Sequence, residues 1–497
     1  MNKAVILVLC VCIMFACSCN TIKQQQQVLS NKIAPGKLQS DFALLYKVLQ
    51  KNHPSLYWYT TKDSLDNYYN SIYNTLTDSL TEVQFKKSVS YFISKIHCGH
   101  TAVRSSKLYT KAIQKNRPPA FPLSIKVLED SLVVTNNALR NDSFIQRGTV
   151  ITAINGVDSR HLLDSMFQFI STDGYSDNFK SQLISFNFPA FYRNAFDTAK
   201  QYTVSYLDAA DKQHTITLPA YNAKADTARK NYKPDGIKKT TAKQRRQLRK
   251  LSERSLQIDT PLSTAYMRLT TFSGSHLLGF FRKSFKQLHQ QNIQNLVVDL
   301  RENGGGKMGI STEFARYLSN HKFKNADTVA ALTTRLPYGR YIQPAFIYRI
   351  SMFLMSRRQN DQRYHFRHYE KHYFAPKTKD HFNGNIYMLQ SGFTFSASCM
   401  LLHTLKGQKN VTLVGEETGG GNYGNTSVLL PNLQLPNSKL RIVLPLYRIV
   451  FNANAVKDGR GIMPDVLVNH TTVTIKEGVD AKLDATMQMI KNKMDDK

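Results

Sequence analysis

The sequence predicts a mixed α+β multidomain chain, with an N-terminal helical domain, a β-rich domain and a layered α/β core. Three observations carry this. Apolar residues recur at helical spacing from Lys37 to Leu108, alternate with polar ones between Ala120 and Leu218, and beyond residue 259 fall into apolar strands separated by amphipathic helices. A chain of 497 residues has room for two to four such units. Its 42% apolar and 11% aromatic residues exclude disorder as its general state.

The first 19 residues read as a leader. Met1-Asn2-Lys3 and the apolar run 4–16 form the basic and hydrophobic regions of a secretory signal peptide, too short to span a membrane. Met14-Phe15-Ala16-Cys17-Ser18-Cys19 puts small residues directly before cysteine and resembles a bacterial lipoprotein box. Cleavage would leave a lipidated Cys17, with Cys19 as the alternative, and residues 20–36 as a polar tether. An ordinary secretory signal is the competing reading. The expectation is an exported protein held by a lipid anchor on a cell-envelope membrane, periplasmic or at the surface. Four of the six cysteines lie before residue 20, which removes a disulfide framework from the body of the protein.

Residues 37–116 are expected to be helical. Leu38, Phe42, Leu45 and Leu49 mark a first helix, which His53-Pro54 ends, and Leu65, Tyr69, Ile72 and Leu76 mark a second. Phe85, Val89, Phe92 and Ile96 mark a third, opened by a capping box at Thr81 and Gln84 and running out into His97-Cys98-Gly99-His100-Thr101. Residues 117–220 form the β-rich domain. Within it, 145–157 (Ile-Gln-Arg-Gly-Thr-Val-Ile-Thr-Ala-Ile-Asn-Gly-Val) resembles the core strand and turn of a PDZ domain, a fold that binds extended chain ends by strand addition. The glycine-rich carboxylate loop of a typical PDZ domain is not evident; Pro118-Pro119-Ala120-Phe121-Pro122 stands in its place.

Residues 221–258 are a linker rich in Lys and Arg, read as a solvated connector. The core, 259–490, alternates a strand at 265–272, a helix carrying Leu277, Phe281, Phe285 and Leu288, a strand at 295–300 and a helix near 311–318. After an insertion at 338–380 come a strand at 386–390, a helix near 397–405, and strands near 411–414 and 440–446 that complete the sheet. The insertion holds an apolar run, 346–355, followed by Arg357-Arg358, and suggests an amphipathic flap touching a membrane or covering a cleft. His365, His368 and His372 would share one helix face there, but Arg363, Arg367 and Lys371 would repel a cation and no carboxylate or cysteine completes the set. A basic surface is expected, and no metal or cofactor.

Lys and Arg number 66 against 35 Asp and Glu, a net charge of +31 that attracts acidic substrates or anionic lipid. An exported protein has little access to nucleic acid, so none is expected as a partner.

Four segments carry candidate chemistry. Ser391-Gly392-Phe393-Thr394-Phe395-Ser396-Ala397-Ser398 lies between a strand and a helix, so Ser396 stands at a helix N-terminus, where developing negative charge is favoured. Alone, that serine would be read as an N-cap. Asp299-Leu300-Arg301-Glu302-Asn303-Gly304-Gly305-Gly306 follows a buried strand, and its glycines let backbone N–H groups approach a ligand. It is neither a P-loop nor a dinucleotide fingerprint. His100 ends a helix between Gly99 and Thr101, and Asp458-Gly459-Arg460-Gly461-Ile462-Met463-Pro464-Asp465 offers a late carboxylate.

Taken in order with Val414-Gly415-Glu416-Glu417-Thr418-Gly419-Gly420, these motifs resemble the S41 serine peptidases, the C-terminal processing proteases and the tricorn core protease. The resemblance spans about 37–490 and implies a core of the ClpP/crotonase-like kind. The family uses either a Ser–Lys dyad or a Ser–His arrangement backed by an acid. The dyad lysine would fall after Thr418, where Gly419-Gly420-Gly421-Asn422 stands, so the tricorn-like style is implied. By resemblance Ser396 is the nucleophile, His100 the general base, and Asp458 replaces the family's glutamate, one methylene shorter. The N–H groups of Gly305 and Ala397 are the oxyanion-hole candidates, and Cys98 and Cys399 would be neighbours, as a disulfide or as two thiols. The implied activity is that of a serine endopeptidase cleaving exported polypeptides, with the PDZ-like domain presenting substrate tails or gating the cleft. The alternative is an inactive peptide- or ligand-binding lipoprotein on the same scaffold. Oligomeric state is open.

Overall fold

The computed structural model describes residues 27–139, 142, 144–226, 241–274 and 276–495. The leader with Cys17 and Cys19, and residues 227–240 of the basic linker, lie outside the described residues. Among the described residues no helix is long and apolar enough to cross a membrane.

Three helices open the chain: α1 (Pro35–Asn52), α2 (Lys62–Thr75) and α3 (Glu82–Ser94). Proline at the first turn of α1 presets its φ, and Thr61 caps α2. The capping box of Thr81 and Gln84 opens α3 as its spacing predicts. Phe42, Tyr46, Tyr69 and Phe92 stack between the three. Their apolar faces do not form a separate core. Leu38, Phe42 and Phe85 belong to the same buried cluster as Phe272, Phe314 and Leu401, and buried Asp41 accepts from the Asn437 and Ser438 amides at 3.0 and 2.7 Å.

The β-rich domain is an antiparallel sheet in chain order: β1 (Leu123–Leu128), β2 (Ser131–Asn137), β3 (Val150–Ile154), β4 (Gln201–Leu207) and β5 (Gln213–Pro219). Asn155 and Gly156, both at positive φ, turn β3 back on itself. Helices α4 (Ser159–Phe167), α5 (Asp177–Phe186) and α6 (Phe188–Phe196) complete its own hydrophobic core. Helix α5 lies against the edge strand β1, where the Val127 N–H donates to Ser185 Oγ at 2.9 Å. That edge is therefore covered by the domain's own helix rather than open to an added strand.

The core sheet also runs in chain order: β6 (Arg254–Asp259), β7 (Thr264–Leu269), β8 (Asn295–Asp299), β9 (Asn385–Gln390), β10 (Val411–Gly415) and β11 (Val466–Leu467). All neighbours are parallel except β6 and β7. Leu296 and Val298 of β8 face helices α7 (Leu277–Gln290), α8 (Met308–Ala315) and, beyond the insertion helix α9 (Ala345–Met355), α10 (Ala397–Leu405). Val297 faces α11 (Ala481–Asp495) on the other side. The strand expected at 440–446 does not complete this sheet. Arg441–Val443 pairs instead with Val103–Arg104 in a separate four-stranded sheet, and Val466–Leu467 takes the edge.

A buried polar chain ties the two domains. Lys126 Nζ of β1 donates to Gln182 Oε1 at 2.8 Å, Gln182 Nε2 to Glu416 Oε2 at 2.9 Å, and Lys482 Nζ of α11 to Glu416 Oε1 at 2.7 Å. Burial pushes Lys126 down to about 8; against its own burial, Glu416 is held below the usual carboxylate range by Lys482 and Lys126. Glu416→Gln strands a buried ammonium and is expected to cost about 3–5 kcal/mol. Thermal unfolding checks this, and Glu416→Leu with Lys482→Met should recover most of the loss.

In the insertion, His365 lies on a strand, Tyr364–His365, while His368 sits on the short helix Arg367–Lys371. They do not share the helix face expected. Carboxylates do reach this set: His365 pairs through Nδ1 with Glu370 at 2.7 Å and through Nε2 with Asp361 at 3.0 Å, while His368 stacks on His372.

Candidate active site

The nucleophile segment is built by two loops latched together. After β8, Asp299 accepts from the Arg301 guanidinium, whose far side pairs with Asp480 at the start of α11. Although burial acts the other way, Arg301 holds the Asp299 carboxyl below its usual range. The next residues meet the loop after β9: Ser391 Oγ donates to the Arg301 carbonyl at 2.6 Å, Thr394 Oγ1 to the Leu300 carbonyl at 2.9 Å, and the Phe395 N–H to the Asn303 carbonyl at 3.2 Å. Aspartate, arginine and asparagine of this motif thus position the loop that carries the serine.

Ser396 precedes α10 with φ 56° and ψ −119°. Thr61 and Thr81, which do cap helices, have extended backbones and accept amide hydrogen bonds; Ser396 makes no capping bond. An N-cap role therefore does not explain it, and its left-handed φ stores strain at the residue best placed to use it. The backbone is crowded on both sides. A Cβ on Gly305 would come within 2.8 Å of Ser396 Cβ and 2.9 Å of Ala397 N, and one on Gly420 within 3.1 Å of Ser396 N. Only glycine fits at either position.

The Gly305 N–H donates to Asn303 Oδ1 at 2.9 Å, so it is committed within its own loop and is not a free oxyanion donor. The Ala397 N–H has no acceptor among the described residues.

His100 is carried to this place by Val103–Arg104, whose pairing with Arg441–Val443 pins the segment across more than 330 positions. Its ring lies 4.8 Å from that of Phe395, the residue before Ser396. Both ring nitrogens are buried without a hydrogen-bond partner among the described residues. Beside them lies a carboxylate that sequence reasoning missed. Asp173 Oδ1 accepts from the Gly99 N–H at 2.8 Å and stands 3.8 Å from His100 Nδ1, while Asp173 Oδ2 is buried with no partner among the described residues. Its loop is clamped to the His100 turn: Ser171 Oγ donates to the Cys98 carbonyl at 2.7 Å and the Gly174 N–H to the His97 carbonyl at 3.0 Å. Left unpaired, each of these three polar atoms costs roughly 1–3 kcal/mol, and together they leave an imidazole and a carboxylate side by side with hydrogen-bonding capacity unused within the fold. Asp173-Gly174 reads in sequence as a plain turn, so nothing there marked a catalytic neighbour.

No ion pair joins Asp458 to His100 among the described residues; the acid beside that imidazole is Asp173. Asp458 is solvent-exposed and accepts the Arg460 N–H at 2.9 Å, because Glu417 holds the following residues: its carboxylate accepts from the Arg460 guanidinium at 2.6 Å and the Gly461 N–H at 2.7 Å.

Residues 263–468 match the family model Peptidase family S41. Over those residues the chain carries an S41 serine peptidase domain. A peptidase domain of this family implies a polypeptide substrate. Among curated proteins none matches it. Of solved structures, mature CPAF complexed with lactacystin is 13% identical, with 92% of this chain and 99% of that chain covered at a TM-score of 0.64. Mature CPAF alone gives 13%, 92%, 98% and 0.63. These likenesses show a shared fold. A putative peptidase from Parabacteroides merdae is 12% identical over 92% of this chain and 97% of that chain, with a TM-score of 0.46.

Cys98 and Cys399 are both buried free thiols, not a disulfide. Cys98 Sγ contacts Thr426 Oγ1 at 2.6 Å and accepts from Thr101 Oγ1, and burial pushes both thiols up, to about 11 and about 12. Cys98 packs the His100 turn, Cys399 donates to the Thr394 carbonyl beside Gly420, and both are poor nucleophiles. An apolar cavity of about 420 Å³ opens beside that turn, lined by Gly99, Thr101, Met166, Ile170 and Phe179, with Phe179 stacked on Phe395. A larger one, about 1140 Å³, lies between the β-rich domain and the core; neither Ser396 nor His100 lines either cavity, but the smaller one is walled by the two residues flanking His100.

A second histidine steadies the turn. The Ser55 N–H donates to His53 Nδ1, so His53 Nε2 carries the proton donated to Thr101 Oγ1 at 2.9 Å. Burial lowers His53 to about 3, against about 6.5 unfolded. Between those values the unfolded chain binds a proton the folded chain refuses. The stability from neutral His53 is complete above about pH 6.5 and is lost as pH falls toward 3, at about 1.4 kcal/mol per pH unit. Urea midpoints should drop across this window and drop less steeply in His53→Gln; a midpoint flat down to about pH 4 would contradict the assignment.

Proposed function

We propose that this peptidase cleaves exported polypeptides with Ser396 as nucleophile and His100 as general base, and that Asp173, not Asp458, orients His100. The observation that carries the reading is a buried imidazole with neither nitrogen bonded among the described residues, its ring tilted against that of the residue before a strained serine. A serine hydroxyl attacks a carbonyl only when a base takes its proton, a contribution of about 10²–10⁴-fold. His100 takes that proton and returns it to the leaving amine, while the Asp173 carboxylate fixes the ring and steadies the imidazolium. The tetrahedral oxyanion forms over the N-terminus of α10, where the Ala397 N–H is free to receive it. Gly419-Gly420-Gly421, packed behind Ser396 where a dyad lysine would stand, disfavours Ser–Lys chemistry. The apolar cavity beside Gly99 suits a nonpolar substrate side chain.

The leader motif supports export and lipidation at Cys17, or at Cys19, with the peptidase held at a cell-envelope membrane. Digestion of a permanently unfolded polypeptide by the wild type and by Ser396→Ala tests the reading. Equal cleavage by both would refute it.

A further inference from the structure

We infer that helix α9 of the insertion, with its arginine rim, is a docking surface for an anionic phospholipid membrane. Apart from Arg349 and Ser351 the helix is apolar all round. Ala345, Tyr348 and Met352 pack inward on the core, whereas Phe346, Ile347, Ile350, Phe353 and Leu354 form the opposite face. Those five are 74, 59, 43, 69 and 67% exposed. A soluble helix turns charge toward water, and a surface helix that turns five large apolar side chains outward is built to be covered.

The charge around the face selects the cover. From Thr328 to Asn360 there is no acidic residue, yet Arg335, Arg340, Arg349, Arg357 and Arg358 are all exposed. None of the five pairs with a carboxylate among the described residues; Arg349 and Arg357 donate only to backbone carbonyls, and Arg340 lies over the Tyr341 ring. A second copy of this chain would set arginine against arginine across a two-fold axis and bring together two bodies of +31 charge. Lipid phosphates satisfy the rim while acyl chains receive the phenylalanines. Eleven residues span roughly 16 Å, so the helix would lie in the interface rather than cross it. The arginines add attraction that salt screens. This contact is separate from the catalytic reading and from any acyl anchor.

The test uses the full chain carrying Cys17→Ala and Cys19→Ala, so that no acyl chain is attached. Phe353→Trp in that background reports on the face, and the parent, with Trp58 alone, gives the baseline. On vesicles of phosphatidylglycerol and phosphatidylcholine in equal parts, the reporter should shift to the blue and be quenched by lipids brominated in their acyl chains. Both signals should fade on phosphatidylcholine alone and at high salt. Phe346→Asp with Phe353→Asp should weaken vesicle flotation about tenfold or more while circular dichroism is unchanged. Because the leader is common to both proteins, it cannot produce that difference. A reporter unchanged on anionic vesicles would overturn the inference. So would a concentration-dependent dimer, seen by light scattering, that the double aspartate variant abolishes, since the face would then belong to a second copy.

Discussion

Ser396→Ala is expected to lower kcat on an unfolded polypeptide by about 10⁴–10⁶-fold while KM changes only a few-fold. Removing the hydroxyl leaves the cavity beside Gly99 and the α10 amide untouched, so substrate binds and the acyl intermediate cannot form. The residual rate reflects the amides and binding alone. Ser396→Gly separates chemistry from strain. Glycine adopts φ 56° without penalty, so this variant should be as inactive as alanine yet more stable by about 1–3 kcal/mol, raising the core's Tm by about 2–4 °C per kcal/mol. Unchanged Tm would mean that the backbone at Ser396 carries no strain.

Asp173→Asn should lower kcat by about 10²–10⁴-fold, again with little effect on KM. The amide keeps the size of the side chain and still accepts from the Gly99 N–H, but loses the charge that steadies a protonated His100. Asp173→Glu keeps the charge and should recover part of kcat. A merely structural aspartate would behave otherwise: its loss would lower stability and raise KM, and glutamate would rescue nothing. Asp458→Asn is expected to stay within a few-fold of wild type, since that carboxylate faces solvent.

The strand-to-helix turn at Ser396, the glycine run and the core strands Thr264–Leu269, Asn295–Asp299, Asn385–Gln390 and Val411–Gly415 were legible because each is written locally. A β-strand, a tight loop and a helix start leave their own residue signals, as do the capping box at Thr81 and the Pro54 stop. The acid partner was not legible because its role is set by docking. Asp173 lies in a loop of the β-rich domain and reaches His100 only when that loop is clamped to the His97–Gly99 turn. The commitment of the Gly305 amide to Asn303 and the splitting of His365 from His368 are likewise decided by side-chain geometry inside loops. The strand at Arg441–Val443 shows the same limit on a larger scale. Its apolar alternation predicts a strand, but not that its partner is a two-residue segment following His100.

Covalent labelling with a fluorophosphonate, followed by mass mapping of the modified peptide, tests the central claim most directly. An activated serine beside a base and a free amide should take one adduct on Ser396, labelling should slow sharply in His100→Ala and Asp173→Asn, and Ser396→Ala should take none. A folded wild-type protein that remains unmodified, or an adduct on another serine that persists in Ser396→Ala, would contradict the account.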